Sequence, residues 1–223
     1  YLPLIFLLII LAQTMMFLRW NYLLKRLNIN LPFKINLKIY FSSWATFFAP
    51  AKSGELVKCF LLKKMYQVPY RTSAPIIFIE QLTDLIAILL FSLLGVSLFN
   101  ILPLTQVLTL FLFAIVAIII LLALLSFRNF VLKLINFFKK FSFLSKRMED
   151  FEQLYLTANS LIKPRVLFTA LFFGIGFWFS LGLILYFSLL AFKINLSLLI
   201  PLAIFCLATL IGVLSFIPSG IGT

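Results

Sequence analysis

A chain of 223 residues that is 64% hydrophobic, with a mean hydropathy of +1.17, carries more apolar surface than a water-soluble domain of this size can bury. Its formal net charge of +13 would raise nucleic acid as a partner of a soluble protein. Here the uncharged runs Tyr1–Leu18, Leu85–Phe127, Val166–Phe192 and Ile194–Thr223 exclude that reading, because each is long enough for one or two spans of about 20 residues. The runs lack the alternation of a membrane barrel, so the expected fold is all-α, a polytopic membrane bundle. The chain has no histidine, which removes the commonest general base. Cys59 and Cys206 without a histidine form neither a typical zinc site nor, so far apart, an expected disulfide. No metal and no cofactor are expected.

Taken in order, Tyr1–Leu18 reads as a span rather than a cleaved signal, ending at Arg19-Trp20 as an interfacial pair of cation and aromatic. The start at Tyr1 and the abrupt stop at Gly222-Thr223 read as a piece of a longer chain. Asn21–Lys38 is an expected connector, turned near Pro32. Ile39–Ala51 holds 13 uncharged residues between basic flanks, too few to span. It is expected either to enter and leave on one side, broken at Pro50 and Gly54, or to lie flat at the interface.

Ser73-Ala74-Pro75 is expected to open the next span, which runs to about Phe99, and Leu102–Phe127 returns. Residues 128–165 form an expected long basic loop. Within it Phe130, Leu134, Phe137, Phe138 and Phe141 recur at helical spacing beside Lys133, Lys139 and Lys140. That pattern fits a helix on an anionic leaflet, and equally one packed on the bundle. Val166–Leu190 spans again, with Gly174, Gly176 and Gly182 placed for close helix packing. Ser197–Ile217 re-enters and closes on Pro218-Ser219-Gly220-Ile221-Gly222.

All but Lys193 of the 19 Lys and Arg residues fall in Arg19–Lys38, Lys52–Arg71 and Arg128–Arg165. The positive-inside rule places those segments in the cytoplasm and the turns at Asn100 and Lys193 outside. The expectation is a single transmembrane domain over 1–223 in the inner (plasma) membrane, with a cytoplasmic loop at 128–165.

The carboxylates are the informative residues. Of 6 acidic residues, Glu149, Asp150 and Glu152 sit in the basic loop, whereas Glu55, Glu80 and Asp84 lie against or inside apolar sequence. A charge at membrane depth costs at least a few kcal/mol and usually faces a cavity or a partner. Glu80 and Asp84, four apart, share one helix face. The cations near them in sequence are Lys52, Lys58 and Arg71, and backbone N–H groups at Ser53-Gly54 add anion donors. Two readings follow: a polar cavity where Lys52 and Lys58 meet a lipid phosphate, or a clamp that ties this segment to the next helix. Phe48-Ala-Pro50-Ala-Lys-Ser-Gly54 and Phe216-Ile-Pro218-Ser-Gly220 echo one another. Such a pair is the signature of a transporter site built from broken helices, although Pro and Gly also mark ordinary helix ends.

Pro50-Ala-Lys-Ser-Gly-Glu55-Leu-Val-Lys58, Glu80-Gln-x-x-Asp84 and Ile217-Pro-Ser-Gly-Ile-Gly222 together resemble the flippase-like transmembrane region of bacterial lysylphosphatidylglycerol synthases. That region also occurs alone in membrane proteins. The resemblance implies a helical bundle with re-entrant segments that moves or handles lipids; some relatives are linked to modified phospholipids, hopanoids or polyprenyl-linked glycans. Lys52 and Gln81 stand where the family usually has Arg, which removes the bidentate fork suited to phosphate. These residues include no soluble aminoacyl-transferase domain, so aminoacylation is not credited to the chain. The expected function is to bind and flip a phospholipid or lipid-linked headgroup; the alternative is a transferase acting on a lipid or polyprenyl-phosphate carrier, with Glu80 or Asp84 as base. The expected site comprises Lys52, Ser53, Gly54, Glu55, Lys58, Arg71, Glu80 and Asp84. The broken-helix motifs are Pro50, Gly54, Pro218, Ser219, Gly220 and Gly222. Partners would be that lipid, with anionic lipid at the 128–165 loop and no nucleic acid.

Overall fold

The computed structural model describes residues 1–46, 54–99 and 145–214, with residues 105, 109, 112, 115–116, 131–133 and 135. Its elements are α1 (Leu2–Arg26), α2 (Phe33–Ser42), a 3₁₀ turn (Ser43–Thr46), α3 (Leu56–Tyr66), α4 (Tyr70–Phe99), α5 (Ser145–Leu161), α6 (Pro164–Ala191) and α7 (Leu199–Leu214). Every regular element among the described residues is helical. Among the described residues three helices are long and apolar enough to cross a membrane: α1, α4 as far as Gly95, and α6. The molecule is an all-α membrane bundle. Pro50, Lys52, Ser53, Pro218, Ser219, Gly220 and Gly222 lie outside the described residues, as do most of Leu102–Phe127 and the Phe130–Phe141 pattern apart from residues 131–133 and 135.

Local chemistry sets the ends. Pro3 and Pro164 stand in the first turns of α1 and α6, where a missing N–H costs no helical bond. α1 ends on Lys25 and Arg26 and α3 carries Lys63 and Lys64 in its last turn, cations that favour a helix C-terminus. Asn28, Gln67 and Lys193 then turn the chain with positive φ.

Several boundaries differ from the sequence expectation, α2 among them, which begins at Phe33 inside the expected connector. α1 does not end at Leu18 but continues to Arg26, because Trp20, Leu23 and Leu24 are fully buried and keep the helix in the bundle. Ser73-Pro75 does not open α4. The carbonyl of Pro69 accepts the amides of Thr72 and Ser73, so the helix starts at Tyr70 and Pro75 lies inside it. The second half of the expected 128–165 loop is the helix α5, which packs against α4 with Tyr155, Ala158 and Leu161 buried at three-residue spacing.

α4 is the central element, touching α1, α3, α5, α6 and α7. Two apolar clusters form along it. One gathers Trp20, Leu23 and Leu24 of α1, Ile39 and Tyr40 of α2 and Leu62 of α3 around Ile76, Ile77 and Ile79. The other joins Ala87 and Ile88 to Trp178 of α6 and to Leu202 and Cys206 of α7. The outward Phe6, Leu7, Phe168 and Phe172 are exposed and in a bilayer face lipid. Of the glycines expected to pack closely, Gly182 does so, and Gly95 joins it: side chains added at Gly182 and Gly95 would collide with Leu202 and Ala203, so α7 seats on α6 and α4 at close range, whereas Gly176 makes only ordinary contact with Met15.

Candidate functional site: a buried row of charges

Between the two apolar clusters α4 turns Glu80, Thr83 and Asp84 inward. The 3,4 spacing that puts them on one face also aims them at α1 and α3. Lys58 Nζ donates to Glu80 Oε2 at 2.7 Å and reaches Glu55 Oε2 at 3.5 Å. The other oxygen of Glu80 faces Arg19, with Nε and Oε1 4.0 Å apart. One turn further on, Arg19 Nη1 donates to Asp84 Oδ1 at 2.7 Å and to Thr83 Oγ1 at 3.2 Å. Trp178 Nε1 donates to the same Asp84 oxygen at 3.3 Å. The result is a row of alternating sign, Glu55, Lys58, Glu80, Arg19, Asp84, drawn from three helices and the turn before α3.

The row is dry. Arg19 is 0% exposed, Glu80 and Asp84 1% each and Lys58 3%. Ions held this deep are stable only with partners of opposite sign, since the penalty for removing each from water is several kcal/mol. Aromatic rings close the cation end: Lys58 Nζ lies 4.6 Å from the Trp20 ring centroid and 5.9 Å from that of Tyr40. Those rings are themselves fixed, Trp20 Nε1 donating to Asn36 Oδ1 at 2.8 Å and the Tyr40 hydroxyl to Gln13 Oε1 at 3.1 Å. Burial works against the Lys58 ammonium, but Glu80 and Glu55 outweigh it and hold its pKa above the ordinary lysine value. Burial, reinforced by Glu80, holds the Tyr40 phenol well above its usual value, so it stays a hydroxyl. Burial likewise raises the neighbouring Cys59 thiol, which leaves it a poor nucleophile.

The structure brings together Glu55, Lys58, Glu80 and Asp84 of the expected set, with Gly54 buried just ahead of α3. Lys52 and Ser53 lie outside the described residues. Arg71 is not brought to the row; its Nη1 donates to Asp150 Oδ1 at 2.8 Å, with both side chains well exposed. Arg19 is the residue that sequence reasoning misplaced. Expected at the interface beside Trp20, it is instead the central cation of the row. The available signal was the presence of two carboxylates on one apolar helix, which require buried cations. Gly174 of α6 is its counterpart: a Cβ there would stand 3.1 Å from Arg19 Nη1, tight enough to push the guanidinium by a few tenths of an ångström. Arg19 Nε and Nη2 are buried with no hydrogen-bond partner among the described residues.

A helical bundle with spanning helices and a largely buried row of paired charges between them defines a class: an integral membrane protein with a polar centre enclosed by apolar helices. The whole chain, residues 1–223, matches the family model of the lysylphosphatidylglycerol synthase TM region. The protein belongs to that family, a membrane domain of lipid-related proteins. No curated protein and no solved structure matches it.

Proposed function

We propose that this protein binds the headgroup of a phospholipid or lipid-linked substrate at the buried row and carries it across the bilayer. The observation that carries the reading is Arg19: a fully buried guanidinium between Glu80 and Asp84 whose Nε and Nη2 have no hydrogen-bond partner among the described residues. A buried donor without an acceptor is costly, of order 1–3 kcal/mol, and in functional sites is often the place a ligand or a water occupies. Structural need alone gives a weak account of the row, since a buried ion network contributes little more to stability than well-packed apolar residues in its place. Ionisable groups at membrane depth usually mark a substrate or ion path.

On this reading Arg19 and Lys58 meet the phosphate of the headgroup, while Glu55, Glu80 and Asp84 hold the cations in place or take a positively charged headgroup substituent. Lys52, Ser53 and Gly54, in the segment that leads into α3, would add donors at its entrance. Pro50 and the closing Pro218, Ser219, Gly220 and Gly222 would supply the broken helices. Family membership supports a lipid as substrate, and the basic segments support a location in the inner membrane with those segments inside.

The test is reconstitution of the purified chain in liposomes carrying head-labelled phospholipid, read by access of a membrane-impermeant quencher to the inner leaflet. Faster loss of protected signal than in protein-free liposomes supports transport. Equal rates with every headgroup tried, from a folded protein, would refute it.

A further inference from the structure

A second polar feature lies outside the buried row, in the crease between the start of α4 and α5. A cavity of about 430 Å³ is lined there by Lys63, Tyr70, Arg71 and Asp150. It shares Ala74 and Leu154 with a second cavity of about 240 Å³, whose other walls are Pro75, Phe78 and Ala158. The first carries charged side chains on a wall that also includes Pro69, Phe151 and Leu154, and the second is lined by apolar residues alone. Arg71 and Phe78 are seven residues apart, so the pair of cavities extends roughly 10 Å down α4 from the basic end of a helix able to cross the membrane.

The polar end is prepared for an anion. Arg71 Nη1 donates to Asp150, but its Nε is buried with no hydrogen-bond partner among the described residues. Lys63 Nζ stands 4.5 Å from the Tyr70 ring centroid, on the wall of the same cavity. Two cations face one carboxylate, which leaves one positive charge for a ligand. A guanidinium with free donors beside an ammonium suits a phosphodiester. The apolar end is open to hydrocarbon at Phe78, which is 37% exposed.

We propose that this crease holds one anionic glycerophospholipid, its phosphodiester on Arg71 and Lys63 and an acyl chain along Pro75, Phe78, Leu154 and Ala158. The polar end at the basic surface and the apolar end deeper in the bundle match the orientation of a lipid in its leaflet. Asp150 competes with the phosphate for Arg71. The inference does not rest on the transport reading, because none of these residues belongs to the buried row.

The test is native mass spectrometry of the purified full chain titrated with dioleoylphosphatidylglycerol, and with dioleoylglycerol as a probe that lacks phosphate. Arg71→Gln should weaken phosphatidylglycerol binding about tenfold, the scale of one lost charge-assisted hydrogen bond. Leu154→Trp, which fills the apolar end, should also weaken it, whereas Asp150→Asn should tighten it by freeing Arg71. Lipid bound at the buried row would add an event common to all three variants. Phosphatidylglycerol binding unchanged by Leu154→Trp and Asp150→Asn would overturn the proposal even if Arg71→Gln failed to fold. So would wild-type protein that held dioleoylglycerol as tightly as phosphatidylglycerol.

Discussion

Glu80 accepts from Lys58 with one oxygen and faces Arg19 with the other, so its charge is shared between α3 and α1. Such an arrangement is sensitive to small displacements, and Gly174 tests this. Gly174→Ala would place a Cβ 3.1 Å from Arg19 Nη1, and the guanidinium must give way from its 2.7 Å contact with Asp84. The expected cost is about 1–3 kcal/mol, the range for overpacking. At Gly176 the added carbon would make ordinary contact with Met15 at 3.5 Å, so Gly176→Ala should be near neutral. Thermal unfolding of both variants in the same detergent checks the contrast; equal melting temperatures would contradict it. At this scale the carboxylates were legible in the sequence, because Glu80 and Asp84 stand out in an apolar helix. Arg19 was not, because its partners are 61 and 65 residues away and a cation beside a tryptophan at the end of an apolar run has an ordinary interfacial explanation.

Among the elements, α4 sets the register of everything it touches, and α7 reads that register through glycine. Gly182 of α6 admits Leu202 where any side chain would collide. Gly182→Ile should therefore part α6 from α7 and lower stability by about 1–3 kcal/mol. It should leave the row itself in place, because Asp84 and Arg19 lie two turns of α6 away, facing Gly174. A melting temperature equal to wild type would show that α7 does not depend on this seat. The spans of α1, α4 and α6 were readable from uninterrupted apolar runs, and the close seat at Gly182 from the glycines of α6. The true start of α4 was hidden because Ser73-Pro75 imitates a helix opening, while the capping carbonyl of Pro69 has no side-chain signature. α5 was concealed for a different reason. Its buried face is only Tyr155, Ala158 and Leu161, and its acidic residues lie in a stretch whose composition reads as a solvated loop.

For the whole molecule, all cations but Lys193 fall in three segments of the sequence, and that clustering, even with Arg19 and Lys58 drawn into the bundle, is the basis for the proposed orientation. A single cysteine introduced in Lys139–Lys146 should resist an impermeant thiol reagent in intact cells, whereas one at Lys193 should react. The reverse pattern would invert the topology. The larger question is whether the buried row is a transport site or a clamp between α1, α3 and α4, and stability and transport answer it together. Lys58→Gln and Glu80→Gln each leave a buried charge without its 2.7 Å partner, a loss of about 3–5 kcal/mol, and the double variant should restore much of that stability. The decisive measurement is headgroup transport in liposomes by the wild type, both single variants and the double variant, with melting temperatures taken on the same preparations. A transport site predicts that the double variant regains stability yet remains inactive, because the groups that meet the headgroup are gone. Transport that returns with stability in the double variant would contradict the account and leave the row a structural clamp.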